Sequence, residues 1–372
     1  MDIVVVDSRK PVHVREFLTF PHRLYASTPS WVPPLAIEAR AALDRKRNPF
    51  FDHSEAAFFT ARDRGVTVGR LAVLDNRNHN AFNNERTAFF WLFEVIDDEA
   101  AASALFEAGF AWARRRGLDA MVGPKGFTAM DGLGLLVRGF EHRPAFGIPY
   151  NLPYYERLLL RQGFAPTGEI LSGYLSADRA FPDRIHALAE RAMRRRGLRI
   201  ARYRTRRDLR ALAPQLGSLY NASLGGSAGN VPLTDDEIQR IADQMVRFAD
   251  PRLIKVVLQG DEAVGFLFAY PDVSGSLQRN RGRLFPFGWL DLLWEMRRTK
   301  WINVNGAGML ASDRGLGGTA ILFSEMYKSV HEGGFQHADL VQIGVENLPM
   351  QRELRSFGVD FYKAHRMYRR AL

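Results

Sequence analysis

The feature that most constrains the fold is an internal echo. Phe58 and Phe59 open a run that turns at Asp63, Arg64 and Gly65 and returns through Val66 to Val73, reading as a β-hairpin. Leu253 to Leu258 repeats the outgoing strand, Gly260 to Glu262 the turn, and Ala263 to Ala269 the return. Val68-Gly69 and Val264-Gly265 fall at equivalent places, each followed by leucine two residues on. Each half continues with a strand, a long helix, a strand and a short segment opening on Asn-Leu-Pro, at Asn151 and at Asn347. A unit that recurs in this order reads as a duplicated α/β unit. The break near residues 176–182 sets the expected domains at 1–178 and 179–372.

The two halves differ where a strand feeds the long helix. In the second, Trp301 to Met309 alternates like a strand, and Ala320, Phe323, Tyr327 and Val330 recur at helical spacing before Gly333-Gly334. Between them lies Arg314-Gly315-Leu316-Gly317-Gly318-Thr319. A strand that runs through glycines into a helix leaves N–H groups unpaired at the positive end of the helix dipole, a setting suited to a pyrophosphate. In the first half, the strand from Ala88 to Val95 leads directly into Asp97, Asp98 and Glu99. Those carboxylates satisfy the helix start themselves. They would repel a pyrophosphate, each like-charge pair at 4 Å costing ~4 kcal/mol at an effective dielectric of 20.

The loop pattern R-x-x-G-x-T, with Thr319 in place of a smaller residue, resembles the coenzyme A loop of GNAT-type N-acyltransferases. The resemblance extends along the chain. Phe17 to Pro21, Trp31 to Leu35, Asn48 to His53, Tyr150 to Tyr155, Val231 to Glu237, Gly282 to Pro286 and Tyr362 to Tyr368 are similar to segments of a bacterial family of tandem GNAT-like proteins. It implies two α/β, mixed-sheet GNAT-like acyltransferase folds in tandem; set beside the loop comparison, the second half is expected to bind acyl-CoA and the first to be divergent and without it. The resemblance does not imply a substrate; the expectation is an acyltransferase that moves the acyl group to an amine or amino-acid acceptor, with no metal.

On that reading the cofactor contacts are Met309, Leu310 and Ala311, whose backbone would polarise the thioester, then Arg314, Gly315, Leu316, Gly317, Gly318 and Thr319 around the pyrophosphate, and Asn347 along the pantetheine. Glu346, at the end of the strand Asp339 to Val345, is the candidate base. The tyrosine that GNAT enzymes often place seven residues after the asparagine is replaced by Leu354, and by Leu158 in the first half. That absence keeps open a rival reading, a non-catalytic acyl-CoA-binding or sensor protein.

Composition narrows the rest. The chain of 372 residues has no cysteine, so disulfides, thiolate zinc sites and a cysteine acyl-enzyme are excluded. Its formal charge of +10 invites a nucleic-acid reading, but no helix-turn-helix, zinc-finger or RNP pattern accompanies the arginine runs. Arg114 to Arg116 and Arg194 to Arg196 fall at helix ends, where cations complement the dipole, so no nucleic-acid partner is expected. The nine histidines show no metal-ligand spacing. Gly225-Gly226-Ser227-Ala228-Gly229 fits G-x-S-x-G but follows a helical run and precedes Pro232 and the capping box Thr234-x-x-Glu237, whereas a nucleophile elbow must join a strand to a helix. Without a signal-like N-terminus or a membrane-length apolar run, a cytoplasmic protein is expected. One insertion stands apart: residues 285–301 carry three tryptophans among basic residues, as in an interfacial helix or a long-acyl contact.

Overall fold

The computed structural model describes residues 1–128, 131–203, 205–224, 231–314 and 317–372. In chain order the first half runs β1 (Asp2–Val5), α1 (Pro11–Leu24), α2 (Ala36–Ala42), α3 (Phe50–His53), β2 (Glu55–Asp63) and β3 (Val66–Asp75). It continues with α4 (Arg77–Asn83), β4 (Thr87–Val95), α5 (Glu99–Arg114), β5 (Ala120–Gly123), β6 (Leu135–Arg138), α6 (Tyr155–Arg161) and β7 (Ala165–Ser176). Next come α7 (Asp183–Arg196), β8 (Leu198–Ile200), α8 (Arg206–Leu224), α9 (Asp235–Phe248), β9 (Ile254–Gln259), β10 (Glu262–Pro271) and α10 (Ser274–Arg279). The chain ends with α11 (Gly288–Arg298), β11 (Trp301–Met309), α12 (Gly318–Glu332), β12 (His337–Gly344), α13 (Leu348–Ser356) and β13 (Asp360–Ala371).

Two compact units result, and neither is contiguous. The first takes Met1–Leu171, Ser274–Leu292 and Tyr362–Leu372; the second takes Ser172–Val273 and Leu293–Phe361. Against the expected 1–178 and 179–372, the first unit therefore recruits most of the final strand.

In the first unit β1 to β4 pair antiparallel, β4 and β5 pair parallel, and Tyr368 to Ala371 of β13 pairs antiparallel with β5. Strand alternation divides its core into two layers. Phe59, Leu71, Val73 and Phe90 meet Leu105, Phe106 and Phe110 of α5, whereas Phe58, Ala72, Leu74 and Phe89 face Phe17 of α1 and Phe50 of α3. The β2–β3 turn places Arg64 and Gly65 at φ +47° and +80°, the left-handed pair a tight hairpin requires.

In the second unit β8 to β11 pair antiparallel and β11 pairs parallel with β12. Val256, Leu258, Phe266 and Phe268 pack with Leu209, Leu219 and Val246 of α8 and α9. Thr234 and Glu237 form the reciprocal capping box that starts α9, as the sequence predicts. Helix α12 covers the other face, where Lys255 Nζ donates to Ser329 Oγ at 2.7 Å. No helix among the described residues is long and apolar enough to cross a membrane.

Candidate functional site

Both units carry the same backbone device, a parallel strand pair that opens. In the second, β11 and β12 pair from Trp301 opposite His337 to Val304 opposite Leu340 and then part. The cause lies on the other edge of β11. Leu267 faces Ala307 while Ala269 faces Val304, so β11 carries one residue more than β10 across this stretch. The bulge falls at Asn305–Gly306, with Gly306 at φ +104°, a region that favours glycine. Residues 305–309 stay with β10 while their far edge leaves β12. Gln342, within β12, also takes a left-handed φ of +61°.

Strand alternation assigns the free donors. Leu310 N–H donates to Val264 O at 2.9 Å, so it is engaged by β10 and cannot polarise a thioester. Gly265 and Met309 are therefore a non-hydrogen-bonded pair, and Met309 N–H is directed to the open edge. Of Met309, Leu310 and Ala311, Met309 is the one whose N–H faces the open edge. Ala311 instead begins the short 3₁₀ turn Ala311–Asp313.

Beyond that turn the helix start is open. Gly317, at φ +92°, is the N-cap of α12; no side chain among the described residues caps the helix, and its first turn has no acid. The first helical bond runs from Ile321 N–H to Gly317 O, so the N–H groups of Gly318, Thr319 and Ala320 have no helical partner. The glycines also serve packing. A Cβ on Gly317 would lie 2.6 Å from that of Ala192 on α7, and one on Gly318 would overlap Met309 Cε. The Met309 side chain is thus buried beneath the helix start. Arg314 clasps the strand end, its Nε donating to Met309 O at 3.3 Å and its Nη2 to Ser223 O at 2.9 Å. Gly315 and Leu316, and the Gly225–Gly229 motif, lie outside the described residues.

At the end of β12, Glu346 and Asn347 are both exposed. Asn347 Oδ1 accepts from Met350 N–H at 3.3 Å and so caps α13, and the Glu346 carboxylate folds back over Gly344. Gln351 Nε2 donates to the carbonyls of Gly344 and Val345 at 3.2 and 2.8 Å, holding this corner. Leu354 is buried. The matching Asn-Leu-Pro in the first unit is used differently: Asn151 is buried and bonds both the N–H and the carbonyl of Leu136.

Sequence reasoning missed a polar ladder beside the opening. Asn303 Nδ2 donates to Asp272 Oδ1 at 3.2 Å, and Asn305 Nδ2 donates to Tyr270 Oη at 3.4 Å, at the bulge itself. Desolvation pushes the Tyr270 hydroxyl up to about 12, which keeps it protonated. Strand alternation would have put Asn303 and Asn305 on one face, but their partners depend on the β10 register.

In the first unit the same opening is sealed. Strands β4 and β5 part after Phe89 opposite Val122, and β4 has its bulge between Trp91 and Glu94, with Leu92 at φ +50°. Here Val95 N–H donates to Tyr155 Oη at 3.0 Å, Tyr154 Oη donates to Val95 O at 2.6 Å, and Lys125 N–H donates to Phe90 O at 2.9 Å. The helix start is closed too: Asp98 accepts from Ala100 and Ala101 N–H at 2.7 and 3.0 Å, while Asp97 and Glu99 pair with Arg157 and Arg161. Tyr368 is buried in this unit and donates to Glu156.

A tandem GNAT protein from the clavulanic acid biosynthesis pathway superposes with a TM-score of 0.58 at 12% identity, covering 100% of this chain and 98% of that one. The chain has a tandem GNAT fold. A probable N-acyltransferase from Enterococcus faecalis V583 is also similar, with a TM-score of 0.52 at 9% identity over 100% of this chain and 72% of that one. Two full-length relatives are similar in sequence. A protein named bacterial ceramide synthase, from Caulobacter vibrioides, is 27% identical over 100% of this chain and 98% of its own length. Protein YghO of Escherichia coli K12 is 26% identical over 96% of this chain and 93% of its own. No family model matches the sequence.

Proposed function

We propose that this tandem GNAT-fold protein is an acyltransferase that moves an acyl group from acyl-CoA to an amine, with the chemistry in the second unit. The observation that carries the reading is the contrast between the units: among the described residues nothing fills the strand opening and helix start of the second, whereas Tyr154, Tyr155 and Asp98 fill those of the first. The pyrophosphate would accept from Gly318, Thr319 and Ala320 N–H, the pantetheine would follow the open edge of β11, and Met309 N–H would meet the thioester oxygen. The amine attacks the carbonyl carbon, its surplus proton passes to a base, and the C–S bond breaks to release the thiolate. Glu346, exposed at the end of β12, is the candidate base. The Tyr270 hydroxyl, kept protonated by burial, is the candidate donor to the thiolate in place of the residue that Leu354 replaces.

The ceramide synthase relative bears on the acceptor. A ceramide is an amide formed on a long-chain amino alcohol, so a lipid amine is the acceptor class we propose over a free amino acid. The rival reading, an acyl-CoA-binding protein without chemistry, draws on Leu354. The test is to supply acetyl-, octanoyl- and palmitoyl-CoA with sphinganine and with a panel of amino acids, following thiol release and amide mass. Amide formation lost in Glu346→Gln or Tyr270→Phe supports the enzyme and its residues. Acyl-CoA binding without product on any acceptor leaves the binding protein. No acyl-CoA binding defeats both.

A further inference from the structure

Helix α11 and the loop before it are built inside out. Positions 289, 290, 293, 294, 297 and 298 share one helical face, and in this chain that face carries Trp289, Leu290, Leu293, Trp294, Arg297 and Arg298, all exposed. The opposite face holds buried Gly288 and Leu292, together with Asp291, whose carboxylate accepts from Arg279 and Asn280. A helix whose outer face met only water would carry its polar groups there and its apolar groups inward. The preceding loop extends the pattern, with Phe285 and Phe287 exposed at 78% and 72%. Trp289 Nε1 donates to Pro286 O at 3.1 Å, which ties this loop to the first turn of the helix.

The charges around these rings are one-sided. Between residues 281 and 300 the exposed charged side chains are Arg281, Arg283, Arg297, Arg298 and Lys300, all cationic, while Asp291 and Glu295 are half-buried. The Arg298 guanidinium lies 4.0 Å from the Trp294 ring centroid, so cation and ring form one amphipathic group.

We infer that residues 285–298 dock on an anionic phospholipid surface, the rings entering the boundary between headgroups and acyl chains and the arginines meeting phosphates. Aromatic rings flanked by arginine suit that boundary, where one end of a side chain is apolar and the other wet. Two other occupants fit less well. A two-fold contact of this face with itself would set one cationic rim against another. A sleeve for a single acyl chain would enclose Phe285 and Phe287, which stand out in solvent instead. The inference is independent of acyl transfer, because it concerns where the chain sits.

The test is cosedimentation of the full-length protein with sucrose-loaded vesicles of phosphatidylcholine alone or mixed with phosphatidylglycerol. The wild type is expected to bind the mixed vesicles and to be released by salt. Phe285→Ser/Phe287→Ser should weaken binding about tenfold or more, and Arg297→Gln/Arg298→Gln about thirty-fold, with circular dichroism and melting unchanged. If the phenylalanine variant misfolds, the arginine variant decides, since its side chains are on the surface. Failure of the wild type to bind mixed vesicles would overturn the inference, as would equal binding by the arginine variant. So would a solution dimer that Phe285→Ser/Phe287→Ser dissociates, which would make a second copy the occupant.

Discussion

Replacing Thr319 by glutamate separates anion binding from folding at one position. Thr319 is the second residue of α12, is half-buried, and lies in a first turn that has no acid and no side-chain cap. For the folded protein a carboxylate here complements the helix dipole and should stabilise by about 0.3–1 kcal/mol. For a pyrophosphate held by the N–H groups of residues 318–320 it is a like charge about 4–6 Å away. At an effective dielectric of 20 one such pair costs about 3–4 kcal/mol; with screening at this half-exposed position we take about 2–3 kcal/mol, roughly a 30- to 150-fold loss of coenzyme A affinity. Thr319→Gln supplies the same bulk without charge and should bind within a few-fold of wild type. Isothermal calorimetry with coenzyme A gives the affinities, and scanning calorimetry shows a melting point unchanged or slightly raised in Thr319→Glu. Raising the salt should recover part of the loss. Equal affinity in the Glu and Gln variants would place the anion elsewhere and refute the reasoning. A fall of several degrees in melting would show that the helix start is not the open terminus described.

Three further perturbations bear on the fold that supports the site. Tyr155→Phe leaves Val95 N–H buried without its acceptor, so the protein should lose about 1–3 kcal/mol in chemical denaturation while one coenzyme A still binds per chain. Gly317→Ala adds left-handed strain of about 1–2 kcal/mol and an overlap with Ala192 worth about 1–3 kcal/mol; adding Ala192→Gly should recover the second part alone, which a double-mutant cycle resolves. His365 is buried beside Lys363 with its Nε2 at 3.0 Å from Pro149 O, and desolvation pulls it down to about 4. Because the unfolded chain then binds the proton more tightly, stability should be full above pH ~6.5 and fall toward pH 4, by about 3 kcal/mol from this group, with His79 acting in the same sense. Urea denaturation of His365→Gln across that range should show a shallower slope; an identical slope would refute the assignment.

What could be read in the sequence, and what could not, divides along physical lines. The paired hairpins, the glycine entry to α12, the capping box at Thr234 and the arginines at helix ends are local. Each is decided by residues within a turn or two, so each is written in consecutive letters. The recruitment of Tyr362–Leu372 into the first unit is decided by strand partners some two hundred and fifty residues apart, and alternation in β13 says which side chains are buried without saying against what. Asn151 and Asn347 show the cost of reading by analogy: the same Asn-Leu-Pro gives a buried bridge in one unit and an exposed helix cap in the other. The state of each opening is non-local in the same way. Leu92 and Gly306 both take the left-handed bulge, so the first unit has kept the backbone that parts two strands, even where a leucine must bear the strain. Once strands part, their buried N–H and carbonyl groups need partners. In the first unit Tyr154 and Tyr155, sixty residues away, supply them from the protein; in the second no described residue fills the edge at Met309. An opening retained in both units and filled internally in only one favours a ligand role for the other.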